Sequence, residues 1–154
     1  ELFRQQMDKI GFALTSVPTL ARTFDTSVES TAIRFKDFLP FPAVLSKWKS
    51  ASEQLTHGWS RANERCKPYR FDMPRGNKAK NVRAEGPYLA LRSASVVRTE
   101  EPLFVTHRSK NGDDFKWITF PTESMAFGSG DYRYVLSLSY VGNHVSAHPS
   151  AVEA

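Results

Sequence analysis

Residues 16–49 read SVPTLARTFDTSVESTAIRFKDFLPFPAVLSKWK, and within this stretch the apolar spacing changes from helical to alternating. Ser16 precedes Val17 and Pro18, and a proline in the first helical turn has its fixed φ and missing N–H accommodated there. A helix is therefore predicted from Val17 to Phe24. Asp25 and Thr26 break it, and Ser27 is placed to cap the next helix by accepting from a backbone N–H two or three residues on. Ile33, Phe35 and Phe38 then give a buried stripe to a helix from Val28 to Asp37. Two short helices joined by a three-residue turn, with Ala21 at the crossing, form a helix-turn-helix pattern. Leu39, Pro40, Phe41 and Pro42 end the helical part, because a proline biases its predecessor out of the α region.

Upstream, Leu2, Phe3, Met7, Ile10 and Leu14 make a further helical stripe. It is already under way at the first residue, and Glu1 is a poor cap, so a piece of a longer protein is expected. Downstream the texture is that of strands. Ala43 to Lys49 and Leu55 to Arg61 are expected to pair as a hairpin, with Trp48 and Trp59 as cross-strand packers. Leu89 to Val96, Leu103 to Thr106, Phe115 to Phe120 and Tyr132 to Tyr140 supply further strands, with turns at Asn111–Gly112–Asp113 and Gly128–Ser129–Gly130. Helical turns fit near Ser60 to Cys66 and Thr122 to Phe127. The sum is an α+β chain: a helical segment at 1–40, a domain with an antiparallel sheet of about five or six strands at 41–141, and a tail at 142–154.

The chain has 154 residues, 40% hydrophobic and 24% charged, with eleven Phe, five Tyr and three Trp. That composition is globular and excludes disorder along the whole chain. No window approaches the roughly 18 consecutive apolar residues of a membrane span, and one cysteine makes no internal disulfide or zinc-finger spacing. A cytoplasmic location is expected.

The net charge of +5 is unevenly placed. Residues 1–40 balance to zero, residues 41–100 carry +7 and residues 101–154 carry −2. Between 61 and 83, Arg61, Arg65, Lys67, Arg70, Arg75, Lys78, Lys80 and Arg83 face only Glu64 and Asp72. Clustered cations point to an anionic partner, because binding a polyanion releases its condensed counterions. Trp59, Tyr69, Phe71 and Tyr88 interleave with them, and cations plus aromatic faces are what a single-stranded nucleic acid needs for its backbone and bases. Trp59 and Phe71 suit a core, which leaves Tyr69 and Tyr88 as stacking candidates. Arg70 and Arg75 lead for phosphate contacts, since arginine binds phosphate in a bidentate way.

Leu2, Phe3 and Arg4, then Val17 and Pro18, then Leu20, Ala21, Phe24 and Ser27, then Arg34 and Phe35, at their intervals, resemble the segment that follows the zinc site in ImmA/IrrE-family metallopeptidases. The resemblance implies that residues 2–38 are the helical bundle closing such a peptidase, with its helix-turn-helix. It also implies that the β-rich region, with Tyr132 to Tyr140 near its end, is a GAF-like sensor domain. By that resemblance the partners are a zinc-bearing peptidase domain, a DNA-binding repressor as substrate, and single-stranded DNA as activator, in the setting of anti-phage and DNA-damage-response operons.

The family's catalytic pattern, two histidines four apart on a helix with a glutamate between them, is absent from this sequence. The chain is expected not to be an enzyme and to hold no metal or cofactor of its own. His144 and His148 are four apart but lie in the tail beside Gly142 and Pro149. His57 and His107 read as surface or sheet-edge residues, and Cys66 lies between Arg65 and Lys67, which could lower its pKa. Neither a Gly-x-Ser-x-Gly elbow nor a phosphate-loop lysine occurs.

The leading reading is thus a regulatory sensor that binds single-stranded DNA through Arg61, Arg65, Lys67, Tyr69, Arg70, Arg75, Lys78, Lys80, Arg83 and Tyr88. Three others stand beside it. One is a small-molecule sensor with its pocket on a sheet face. Another is a duplex-DNA-binding transcription factor using residues 16–38, whose second helix offers Glu29, Ser30, Arg34 and Lys36. The last is an interaction platform, including a homodimer.

Overall fold

The computed structural model describes residues 1–51, 54–72, 85–109 and 112–142. Three helices come first, α1 (Leu2–Ile10), α2 (Ser16–Phe24) and α3 (Val28–Phe38). The local chemistry follows the sequence closely. Asp25 adopts the left-handed conformation that ends α2, and the Ser27 hydroxyl accepts from the Ser30 N–H at 3.1 Å to start α3.

Six strands follow: β1 (Ala43–Ala51), β2 (Gln54–Ala62), β3 (Arg70–Asp72), β4 (Val97–Ser109), β5 (Gly112–Phe127) and β6 (Tyr134–Tyr140). They form one antiparallel sheet in the order β2-β1-β6-β5-β4-β3. The α+β class and the strand number are those read from the sequence. The sheet curls until its two edge strands, β2 and β3, come near one another. Its concave face packs Val44, Trp48, Phe71, Val105, Phe120 and Val135 into one core. On its convex face Leu45, Leu136 and Leu138 share a second core with Phe3, Met7, Val17 and Phe35 of the helices.

The helical layer is also tied down by polar contacts. Glu123 on β5 is buried and accepts from the Leu14 N–H at 3.1 Å and from the Tyr140 hydroxyl, while Arg98 lies 3.2 Å from its other oxygen. Burial, together with that carboxylate, holds the Tyr140 phenol well above its ordinary pKa. Lys47 on β1 reaches Glu29 on α3 at 2.6 Å.

Several expectations are corrected. Residues 89–92 belong to a helix, α4 (Glu85–Arg92), and not to a strand. Leu89, Leu91 and their neighbours fit period two by coincidence, but Leu, Ala and Arg are good helix formers. A distant carboxylate also starts the helix: buried Glu101 on β4 accepts the Gly86 N–H and the Thr99 hydroxyl. A Cβ at Gly86 would sit 2.3 Å from Thr99 Oγ1, so this close approach requires glycine. Thr122 to Phe127 is strand, the end of the 16-residue β5, because its side chains alternate between the two cores. The turn near Ser60 to Cys66 shrinks to a single 3-10 turn, Glu64–Cys66, after β2. Leu103 to Thr106 extends into a 13-residue strand whose partner is long β5.

Trp48 and Trp59 do not pair across the hairpin. The register slips at Lys47/Trp48, where Lys47 faces Trp59 and Trp48 faces His57. Gly58 is the extra residue of this bulge, which puts the two tryptophans on opposite faces. Trp48 meets the His57 ring edge-on at 5.3 Å.

Candidate nucleic-acid interface

A groove of about 250 Å³ runs where β2 and β3 approach, lined by the segment between them. Ser60 and Ala62 form one wall, Tyr69, Arg70 and Phe71 the other, and Asn63, Glu64 and Lys67 lie between. Four of the expected cations, Arg61, Arg65, Lys67 and Arg70, are among the described residues and all are exposed; Lys67 and Arg70 line the groove, and Arg61 and Arg65 do not. Glu64 pairs with Lys67 at 2.9 Å, a contact so exposed that it costs little to exchange for another anion. Arg61 lies over the Trp59 ring at 4.9 Å. Arg75, Lys78, Lys80 and Arg83 lie outside the described residues.

The groove is built into the helical layer through its floor. Asn63 is 4% exposed, and its amide nitrogen donates to the carbonyls of Lys36 at 3.1 Å and Phe41 at 2.9 Å. Its amide oxygen accepts the Ala43 N–H at 3.3 Å. Arg65 Nε donates to the Leu39 carbonyl at 3.1 Å. Residues 63–65 therefore bond the carbonyls of Leu39 and Phe41 along the link into β1 and add a second donor to the Lys36 carbonyl, which also accepts the Leu39 N–H at 3.3 Å. Nothing in the local sequence marks Asn63 for this work, since its partners are 20 to 27 residues away.

The expected stacking aromatics fare differently. Tyr69 is buried, with its ring 4.9 Å from His107, so its faces are covered by protein and it is no platform for a base. Phe71 is core, as expected, and Trp59 is half-buried on the helical side of the sheet. Tyr88 stands half-exposed on α4, its hydroxyl accepting the Leu55 N–H at 3.4 Å. The exposed tryptophan is Trp117 on β5, which the charge pattern did not pick out.

His107 is buried on the concave face of β4, inside the sheet and not at an edge or on the surface. His57 does lie on an edge strand, and its Nε2 is 2.8 Å from Ser60 Oγ, which is in turn 2.8 Å from Ser46 Oγ. Cys66 is buried, and burial pushes its thiol up to about 11 in spite of its basic neighbours, which removes the redox reading. His144 and His148 lie outside the described residues. Among the described residues no cluster of His, Cys, Asp and Glu could hold a metal ion, and no helix is long and apolar enough to cross a membrane.

The helix-turn-helix offers little to a DNA groove. Lys36 is buried, Glu29 is held by Lys47, and the Arg34 guanidinium lies over the rings of Phe3 at 4.8 Å and Phe38 at 5.6 Å. Comparison with known protein families and with curated proteins finds no match for the chain.

Proposed function

We propose that this chain is a regulatory module that binds a single-stranded nucleic acid along the basic β2–β3 edge and passes that event to its helical layer. The observation that carries the reading is the groove itself: two exposed cations, Lys67 and Arg70, line a cleft whose floor, Asn63, is hydrogen-bonded to the end of α3, and two more, Arg61 and Arg65, are exposed on residues beside it in sequence. Cations so placed contact successive phosphates, and a curved groove between strand edges suits a flexible single strand.

The resemblance of residues 2–38 to the helical bundle of ImmA/IrrE-family metallopeptidases supplies the rest of the proposal. In it, the helical layer faces a zinc peptidase domain that cleaves a DNA-binding repressor in the cytoplasm, and single-stranded DNA from damage or infection is the activating signal. The GAF-like assignment belongs to the same proposal. A small ligand on the concave face is less well supported, because hydroxyls there are spent on one another. Ser124 bonds Ser137 and Thr122 bonds Ser139, each at 2.8 Å, beside a packed apolar core.

Fluorescence anisotropy with labelled single-stranded and duplex oligonucleotides over a salt series tests the reading. Tight binding to the single strand is expected, with log Kd varying with log salt by about 0.7 per phosphate contacted. The double variant Lys67→Ala, Arg70→Ala should flatten that slope by about 1.4. An absence of binding at low salt, or a preference for duplex, would overturn it.

A further inference from the structure

The convex face of the sheet has two halves. Over β1, β6 and the end of β5 it is covered by α1–α3. Over β3, β4 and the start of β5 it bears a different set of side chains. Arg70 pairs with Thr106 and Phe104 pairs with Trp117, so strand alternation places all four on this face, while Leu103, Val105 and Phe71 point into the concave core. Phe104 and Trp117 lie 5.3 Å apart with their rings tilted by 59°. Trp117 remains 45% exposed, against 5% for Trp48 in the core.

We infer that Trp117, backed by Phe104, is a stacking platform for an unpaired base of the strand whose phosphates lie on Lys67 and Arg70. The inference rests on the nucleic-acid reading above and adds to it the subsite that Tyr69 cannot provide. Two strand spacings and two residues of rise put Trp117 about 12 Å from Arg70, Cα to Cα, and a long arginine side chain closes much of that gap to the phosphate of a stacked nucleotide. An indole that meets Phe104 at a tilt and keeps 45% of its surface exposed offers a base a π-system to stack on, which gives affinity without sequence preference. The cation beside the ring is what selects a nucleic-acid base over an uncharged apolar partner.

The test compares a labelled thymidine 15-mer with an abasic oligomer of equal length and charge, using the whole chain and the variants Trp117→Ala, Trp117→Phe and Lys67→Ala, Arg70→Ala. Circular dichroism confirms that each variant is folded. Trp117→Ala should weaken thymidine 15-mer binding by about 5- to 150-fold and leave its salt slope and abasic binding unchanged. Trp117→Phe should recover part of the loss. The double variant should flatten the slope for both oligomers. If Trp117→Ala binds the 15-mer as the wild type does, or loses both oligomers equally, or if the wild type prefers the abasic strand, the platform is refuted while the basic groove stands. If the wild type binds neither oligomer at low salt, the nucleic-acid reading fails and the platform with it.

Discussion

Replacing Asn63 by alanine isolates the joint between groove and helices. The substitution removes four hydrogen bonds: the Ala43 N–H and the Phe41 carbonyl lose their side-chain partner, the Cys66 thiol loses one of its two acceptors, and the Lys36 carbonyl keeps only the Leu39 N–H at 3.3 Å. Ala43 is fully buried, so its N–H bears the full cost of an unmade bond, whereas the Lys36 carbonyl, also in a buried contact, keeps the Leu39 N–H and loses only its second bond. The Phe41 carbonyl is only partly buried and water recovers part of its loss. At about 1–3 kcal/mol for a buried unsatisfied group and less for the two partly compensated carbonyls, the sum is about 2–4 kcal/mol. With a urea m value of about 2 kcal/mol/M, the unfolding midpoint should fall by roughly 1–2 M. Asn63→Asp keeps the acceptor for Ala43 but sets a carboxylate oxygen against two carbonyls, so it should be at least as destabilising. Urea titration followed by tryptophan fluorescence measures both. A midpoint for Asn63→Ala within about 0.3 M of the wild type would refute the claim that this side chain holds the groove to α3.

Four further outcomes follow from other parts of the fold. Phe35→Ala, which empties a site shared by α3 and the sheet, should cost about 3–5 kcal/mol, and helical circular dichroism and tryptophan fluorescence should still melt together; two separate transitions would show that the layers fold apart. Gly86→Ala drives a methyl group into Thr99 and Glu101 and should lower stability by about 1–3 kcal/mol, whereas a neutral result in thermal melts would contradict the close approach. Burial raises the Glu101 carboxyl above its ordinary 4.5, so its contribution to stability is full below that value and is lost as pH rises through the folded pKa. The stability of Glu101→Gln relative to the wild type should therefore improve from pH 4 to pH 7, and a flat difference would count against the buried carboxylate. With its thiol at about 11 against an ordinary 9.0, Cys66 should be alkylated in the native protein at least about 100-fold more slowly than after unfolding, and native reactivity equal to that of a free thiol would refute its burial.

The legible parts of this fold are those whose cause is local. The Ser27 cap, the left-handed Asp25 and the break at Pro40 and Pro42 are set by neighbours in sequence, and each is where the pattern places it; the strand read over Tyr132 to Tyr140 forms from Tyr134 on, with Tyr132 in a 3-10 turn instead. Residues 89–92 misread because α4 is started by Glu101, a carboxylate 15 positions beyond the Gly86 N–H it accepts. The bulge at Gly58 separates Trp48 from Trp59 by one skipped residue, which no period-two pattern registers. The basic cluster was visible as charge, and two of its described members, Lys67 and Arg70, line a groove. Which aromatics face solvent was not, because exposure depends on where the helices lie. Tyr69 is sealed against His107, while Trp117 stays open on the half of the convex face beyond α1–α3.

The same hydrogen bonds that fix the groove bound what a ligand there could transmit. A ligand shifts an equilibrium only by the difference between its affinities for the two arrangements. If the bound strand favours an arrangement in which residues 63–65 leave the carbonyls of Lys36, Leu39 and Phe41, it works against the roughly 3 kcal/mol that Asn63 alone contributes, a factor of about 150 in affinity. If instead it favours the bonded arrangement, it stiffens the end of α3 and the link into β1, and coupling of the ordinary 1–3 kcal/mol needs no bond broken. The geometry favours the second course. Lys67 and Arg70 lie on the side of Asn63 away from α3 in sequence, and their side chains are exposed while that of Asn63 is not. Under the proposed reading, phosphates held by them would reach the groove without displacing its floor. Asn63→Ala should then weaken strand binding as well as stability, because the cations would no longer be held in register with one another.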